Sequence, residues 1–181
     1  MKKWLKIFLF SLLGLVLLFL GFVGYGYYNY WGKFPVDEQK YSHNVEYINP
    51  DEARLNDGFK LCNERRIAQY YNPEKATYSK GKNRLRAFIM KNYVNKGYQD
   101  SGYLNIRFVI NCHGKAGRYI MHENDLDLNP KKLDQDMVEQ LFQLTTQLKE
   151  WNPNFIREEF YDSYMYLSYR IENGEIIEIL P

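Results

Sequence analysis

The first hydrophobic stretch of the chain is long enough to cross a membrane. Residues 7–32 contain no charged side chain, and residues 7–23 are almost wholly Leu, Phe, Val, Ile and Gly. A helix that spans a bilayer needs roughly 20 apolar residues. The run is followed by five aromatic residues, which are typical of the headgroup level: Tyr25, Tyr27, Tyr28, Tyr30 and Trp31. This pattern predicts an N-terminal transmembrane anchor.

Two further helices are predicted in the first half of the chain. The tetrapeptide Asn-Pro-Asp-Glu at residues 49–52 is typical of a helix start, since proline suits the first turn and acidic residues suit the N-terminus. We expect this helix to continue to residue 71. If it is interrupted, the part from Phe59 to residue 71 should still be helical. The next helix is predicted over residues 83–95, where five residues follow helical spacing: Leu85, Phe88, Ile89, Asn92 and Tyr93.

The spacing then changes to that of a β-strand. Four apolar residues alternate with polar ones between residues 103 and 111, which predicts a half-buried strand: Leu104, Ile106, Phe108 and Ile110. Residues 111–117 are predicted to form a turn, and residues 118–123 the returning strand. Because a tight turn joins them, these strands are expected to be antiparallel.

The clearest helical stripe follows this hairpin. Its apolar residues are spaced 4, 4, 3, 4 and 3 positions apart, which predicts one helix of about five turns, ended by Pro153. They are Leu133, Met137, Leu141, Leu144, Leu148 and Trp151. After it, alternating residues from Met165 to Ile171 and the turn dipeptide Asn173–Gly174 predict a second hairpin, in which residues 176–180 return.

This order of elements predicts an α+β fold. We expect a small antiparallel sheet with helices packed on one face, preceded by one transmembrane helix. The predicted organisation is a cytoplasmic tip and anchor at residues 1–31, a linker and extra helical region at 32–81, and a folded domain at 82–181.

Basic residues set the expected orientation of the anchor. Lys2, Lys3 and Lys6 precede the apolar run, whereas only Lys33 and Lys40 follow it closely. Basic residues favour the cytoplasmic side, so the domain is expected outside the cytoplasm. A cleaved signal peptide is the alternative, but its hydrophobic region would be unusually long.

The chain has two cysteines, Cys62 and Cys112, and both lie in the exported part. Outside the cytosol such a pair has access to oxidising chemistry. A disulfide that closes this loop would stabilise the fold by roughly 4 kcal/mol in the chain-entropy model. We expect the bond; two buried free thiols are the alternative.

Charge and motif content argue against several classes of function. A net charge of +2 offers no strong footprint for nucleic acid, so no nucleic-acid partner is expected. The sequence has no hydrolase, metalloprotease or phosphate-loop motif, and we predict a protein that is not an enzyme and has no cofactor. The adjacent carboxylates Glu158 and Glu159 are expected to be solvated rather than catalytic.

Histidines and tyrosines provide two further candidate sites. Cys112, His113 and His122 would be candidate metal ligands, but neighbouring residues of an extended chain point to opposite faces, and we predict no metal site. A cluster of tyrosines near the last hairpin suits either an interface or a half-buried sheet face: Tyr161, Tyr164, Tyr166 and Tyr169.

An ordered set of short motifs runs through residues 82–180. Residues 102–111 form a strand that begins with glycine, a glycine turn follows, Leu133–Asp134 opens a helix, and Trp-Asn-Pro at 151–153 follows that helix. Together they resemble the C-terminal domain of TonB-family proteins, in a membrane-anchored variant with an extra cysteine-containing region. The motif residues are Gly102, Phe108, Gly114, Trp151 and Pro153.

Four features depart from TonB proper. Its long proline-rich arm is replaced by a spacer with three prolines, and its coupling histidine is missing, since the apolar segment has only Ser11 as a polar residue. Tyr93 is followed by Val94 rather than by proline. The region 49–78, which contains Cys62, lies outside the family pattern. These departures predict that the chain does not transduce energy as TonB does.

The resemblance implies a single-pass inner-membrane protein with a periplasmic binding domain. Its family docks an extended peptide of a partner, such as an outer-membrane transporter, against a sheet edge. The candidate edge is Ile176, Ile177, Glu178, Ile179 and Leu180, with Ile177 and Ile179 expected to share one face. The alternative is a structural or assembly protein of an inner-membrane complex, with no role in energy transduction.

Overall fold

The computed structural model describes residues 3–29, 48–64, 66–68 and 76–180. The chain divides into two compact units, Met1–Val45 and Glu46–Pro181. In the first, helix α1 (Lys3–Tyr27) has 25 residues and no buried side chain. At 1.5 Å per residue it is about 37 Å long, enough for a bilayer core. By length and composition, α1 can therefore serve as a single membrane span.

The second unit has the α+β architecture that the sequence predicts. Its main sheet has four antiparallel strands in the order β3-β2-β7-β8, and two smaller antiparallel pairs join β1 to β4 and β5 to β6. The elements are β1 (Thr77–Tyr78), α2 (Gly81–Asn92), β2 (Gly102–Ile110), β3 (Ala116–Asn124), α3 (Gln135–Thr146), β4 (Trp151–Asn152), β5 (Asn154–Ile156), β6 (Glu159–Tyr161), β7 (Ser163–Glu172) and β8 (Glu175–Leu180).

Helices α2 and α3 pack on one face of the main sheet, as expected. Alternate residues of β2 and β7 point towards them, because successive strand residues face opposite sides. The main core contains Leu85 and Ile89 of α2 and Met137 and Leu141 of α3. From the strands it contains Leu104, Ile106, Phe108, Ile110, Met165, Leu167, Tyr169 and Ile171.

The other face of the sheet is partly covered by the described residues 48–64 and 66–68, which we call the cover segment. Five of its apolar residues surround Val109, Ile120 and Tyr164 of the sheet. They are Ile48, Ala53, Phe59, Leu61 and Ile67.

The predicted helix at residues 49–71 is wrong over the described residues, which form turns and single bridges. The backbone of Arg54 pairs with Tyr119 of β3, and the N–H of Ala68 donates to the carbonyl of Asp162. Backbone groups used in this way are not available for helical hydrogen bonds, so contacts with the sheet override the local helix-start signal.

The predicted five-turn helix is shorter than its apolar stripe. Helix α3 begins at the N-cap Asp134, whose carboxylate accepts from the backbone N–H groups of Asp136 and Met137, and it ends at Thr146. Leu148 and Trp151 are buried in the same core but lie beyond the helix. The stripe therefore predicts burial correctly and helix length incorrectly, because Trp151 instead pairs with Tyr78 as part of β4.

Candidate functional site

Strand β8 forms one edge of the main sheet, at the position expected for the candidate interaction strand. Leu180, Ile179 and Glu178 pair regularly with residues 168–170 of β7, but Ile176 pairs with Ile171, so Ile177 is an extra residue. A bulge of this kind shifts the alternation of side chains by one position.

The expectation that Ile177 and Ile179 share a face is consequently wrong. Ile176 and Ile179 are buried, with 5% and 2% of their surface exposed, whereas Ile177 and Leu180 are 51% and 46% exposed. The edge strand thus anchors itself with two isoleucines and presents two large apolar side chains to solvent.

The turn before β8 is the predicted two-residue type. Asn173 and Gly174 both have positive φ, 51° and 74°, as a type I′ turn requires. The N–H of Gly174 donates to the Asp100 carbonyl at 2.8 Å, and the Tyr93 hydroxyl donates to the Gly174 carbonyl at 2.6 Å. Burial, aided by Glu175, raises the pKa of Tyr93 to about 12, so the phenol keeps the proton that it donates. These contacts fix the start of the edge strand.

The opposite edge, β3, is covered by the protein's own chain. The N–H of Arg54 donates to the Tyr119 carbonyl at 2.8 Å, and the Tyr119 N–H donates back at 2.9 Å. Further along, the Lys131 N–H donates to the Glu123 carbonyl at 3.1 Å. No segment within the described ranges pairs with the outer side of β8. One edge is therefore covered and the other is open in this part of the chain.

An ion pair helps to hold the covered edge in place. The Arg54 guanidinium donates to both carboxylate oxygens of Glu139 on α3, at 2.8 and 3.0 Å. The hydrogen bonds from Arg54 and Gln143 lower the pKa of Glu139. The Arg54 Cζ atom also lies 3.8 Å from the centroid of the Phe142 ring, and this cation–π contact is a second link between Arg54 and α3.

Asp162 is a buried carboxylate that the sequence analysis missed. Its Oδ2 accepts from the backbone N–H groups of Cys62 and Asn63 at 2.8 and 2.7 Å, and its Oδ1 accepts from the Cys112 N–H at 2.9 Å. Only 1% of its surface is exposed. The available signal was weak: Asp162 is the one charged residue in the aromatic run from Phe160 to Tyr169.

The expected disulfide is present. Cys62 and Cys112 are bonded, with their Cα atoms 6.1 Å apart, and the bond joins the cover segment to the turn after β2. Two polar contacts reinforce the same junction. The Asn111 amide donates to the Lys60 carbonyl at 2.9 Å, and the buried Arg118 donates to both carboxylate oxygens of Glu64 at 3.1 and 2.8 Å.

The five motif residues lie in or beside the packed core rather than at the open edge. Phe108 and Trp151 have ring centroids 5.3 Å apart. Gly114 has a φ of 72°, and a Cβ there would lie 2.4 Å from the Trp151 carbonyl oxygen. At Gly102 a Cβ would lie 2.1 Å from the Asn124 carbonyl oxygen, and Pro153 follows the short strand of Trp151. The close backbone approaches at Gly102, where β2 begins, and at Gly114, in the turn after β2, leave no room for a Cβ atom at either position.

The tyrosine cluster divides between core and surface. Tyr164 and Tyr169 are buried, which favours the sheet-face interpretation for these two, whereas Tyr161 and Tyr166 are half-buried. Glu158, in the turn between β5 and β6, and Glu159, the first residue of β6, are both exposed, as expected for solvated side chains.

His113 departs from the geometry that the sequence suggested. Cys112 and His113 lie in a turn rather than in extended chain, so their side chains are not forced to opposite faces. A ring nitrogen of His113 and the sulfurs of Cys62 and Cys112 all lie within 4.8 Å of one another. The two sulfurs are bonded to each other, so the structure places a disulfide beside an imidazole.

Comparisons of the chain with protein-family models, with curated proteins and with solved structures found no match. The TonB-like assignment stays a prediction from the motifs quoted above.

Proposed function

We propose that the protein is a membrane-anchored binding module that engages a partner protein by strand addition at the outer edge of β8. The observation that carries the proposal is the contrast between the two edges of the main sheet. Backbone bonds from Arg54 and Lys131 cover β3, while β8 is outermost in the described part of the chain. An edge strand presents unpaired N–H and C=O groups, which an extended peptide can bind.

The side chains of β8 suit such a partner. Ile177 and Leu180 are exposed apolar residues, and the strand contains neither lysine nor proline, which commonly block edge pairing. The bulge at Ile177 interrupts the regular backbone pairing of β8. We therefore expect a partner strand to pair with the regular stretch from Glu178 to Leu180. We expect the partner strand to bring apolar side chains against Ile177 and Leu180.

The setting proposed for this interaction is the periplasmic side of an inner membrane. The lysines before α1 favour an N-terminus in the cytoplasm, and the disulfide favours an oxidising compartment. The TonB-like motifs favour an outer-membrane transporter as the partner. Under the alternative, an assembly protein of an inner-membrane complex, the partner would be another inner-membrane chain.

Site-specific photocrosslinking in native membranes tests the proposal. A photoreactive residue at Leu180 should capture a partner chain, whereas the same residue at Leu126, on a loop, should not. The two positions are matched, since they are 46% and 42% exposed. Capture of an outer-membrane transporter supports the binding module, and capture of an inner-membrane chain supports the alternative. Equal labelling from both positions, or none from Leu180, would refute the edge as the site.

A further inference from the structure

Three groups that bind thiophilic metals converge at the junction between the cover segment and the turn after β2. They are the sulfurs of Cys62 and Cys112 and the imidazole of His113, whose ligand atoms lie within 4.8 Å of one another. Cys62 and His113 are exposed, and Cys112 is half-buried. A surface groove of about 840 Å³, which these three residues help to line, gives solutes access to the cluster.

The positions of the two cysteines do not depend on the disulfide alone. The Asp162 carboxylate accepts from the backbone N–H of Cys62 through one oxygen and from that of Cys112 through the other, at 2.8 and 2.9 Å. The Asn111 amide donates to the Lys60 carbonyl two residues before Cys62. These bonds hold both backbones in place when the sulfur–sulfur bond is opened, so the reduced side chains stay close together.

We propose that the dithiol form of the protein binds a thiophilic metal ion, of which Zn²⁺ is the test case, through Cys62, Cys112 and His113. This inference is independent of the proposed strand addition. Two thiolates and an imidazole are a common zinc ligand set, and a water in the groove can occupy the fourth position. With Zn–S bonds of about 2.3 Å, tetrahedral geometry places the sulfurs about 3.8 Å apart, which side-chain rotation can reach.

A dithiol reductant converts the Cys62–Cys112 disulfide into the two thiols that the site requires. One thiolate of the reductant attacks the sulfur of the exposed Cys62, and Cys112 leaves as a thiolate. The second thiol of the reductant then releases Cys62 and closes its own disulfide. The protein gains two electrons and two protons, and it releases those protons when both sulfurs coordinate the metal. Lys60 and Lys115 also line the groove.

Zinc titration of the full chain in detergent micelles tests this site. The protein is reduced with a dithiol, which is removed by gel filtration under anaerobic conditions, and Zn²⁺ is added in competition with a chromophoric chelator. The reduced protein should bind one ion per chain, with an affinity at least about 100-fold above that of the oxidised protein. His113→Ala and Cys112→Ser should each weaken binding by about tenfold or more. His122→Ala is the matched control and should leave the affinity unchanged.

Two results would overturn the proposal. One is a reduced protein that binds Zn²⁺ no better than the oxidised protein or no better than His113→Ala. The other is loss of β structure on reduction, measured by circular dichroism before metal is added, because the site requires that Asp162 hold the two loops together. Retained structure with binding that depends on His113 supports it.

Discussion

Replacing the buried carboxylate Asp162 by alanine is the sharpest test of how the cover segment is held. The change removes three charge-assisted hydrogen bonds, from the N–H groups of Cys62, Asn63 and Cys112. The backbone of Asp162 still accepts from Ala68, so the variant removes the side-chain contacts alone.

The size of the effect follows from the surroundings of the three donors. A hydrogen bond to a charged group contributes about 1.5–3 kcal/mol. Three would total about 4.5–9 kcal/mol if each donor lost its partner and stayed shielded from water. Cys62 and Asn63 are exposed, however, and water can replace the carboxylate at their N–H groups. We therefore expect Asp162→Ala to lower the free energy of unfolding by about 3 kcal/mol. The disulfide, with a sequence separation of 50 residues, is expected to contribute about 4 kcal/mol.

Urea unfolding of the full chain in detergent micelles, followed by circular dichroism, measures this difference. Asp57→Ala is the control, because Asp57 is an exposed carboxylate of the same cover segment, and it should cost less than about 0.5 kcal/mol. If Asp162→Ala costs no more than Asp57→Ala, the carboxylate does not hold the cover segment, and the preorganisation inferred for the two cysteines is wrong as well.

Three further predictions concern topology and partners. A reporter that is active only outside the cytosol should work when fused after residue 181, and a mature chain that begins near residue 26 would contradict the uncleaved anchor. Ile177→Pro and Glu178→Pro each remove one backbone donor from β8, and one of them should abolish partner capture in a folded domain; if both unfold the domain without a selective effect, the strand is structural. The chain should fail to replace a TonB in a transport assay, because its reach beyond the anchor is short. Residues 30–47 span at most about 60 Å at roughly 3.3 Å each, and the cover segment that follows lies on the sheet. Full complementation would refute this.

Local periodicity was sufficient for most of the sheet and for two helices. The alternation from Leu104 to Ile110 and the stripe from Leu133 to Leu144 predicted buried faces that the structure confirms. Asn173–Gly174 predicted its turn because only a few residues tolerate positive φ at both positions. Such signals are readable from sequence because each depends on residues a few positions apart.

Contacts between distant segments decided the rest. The helix-start signal at residues 49–52 is local, and it is overridden by backbone pairing between Arg54 and Tyr119, which no periodicity records. The bulge at Ile177 places that residue on the opposite face from Ile179, contrary to expectation, since one extra residue shifts the alternation of side chains. Cys62 and Asp162 are each 50 residues from Cys112, which His113 follows directly, and these residues meet only because the cover segment folds back over the sheet. Register and long-range pairing depend on which surfaces pack together, and that is a property of the folded chain.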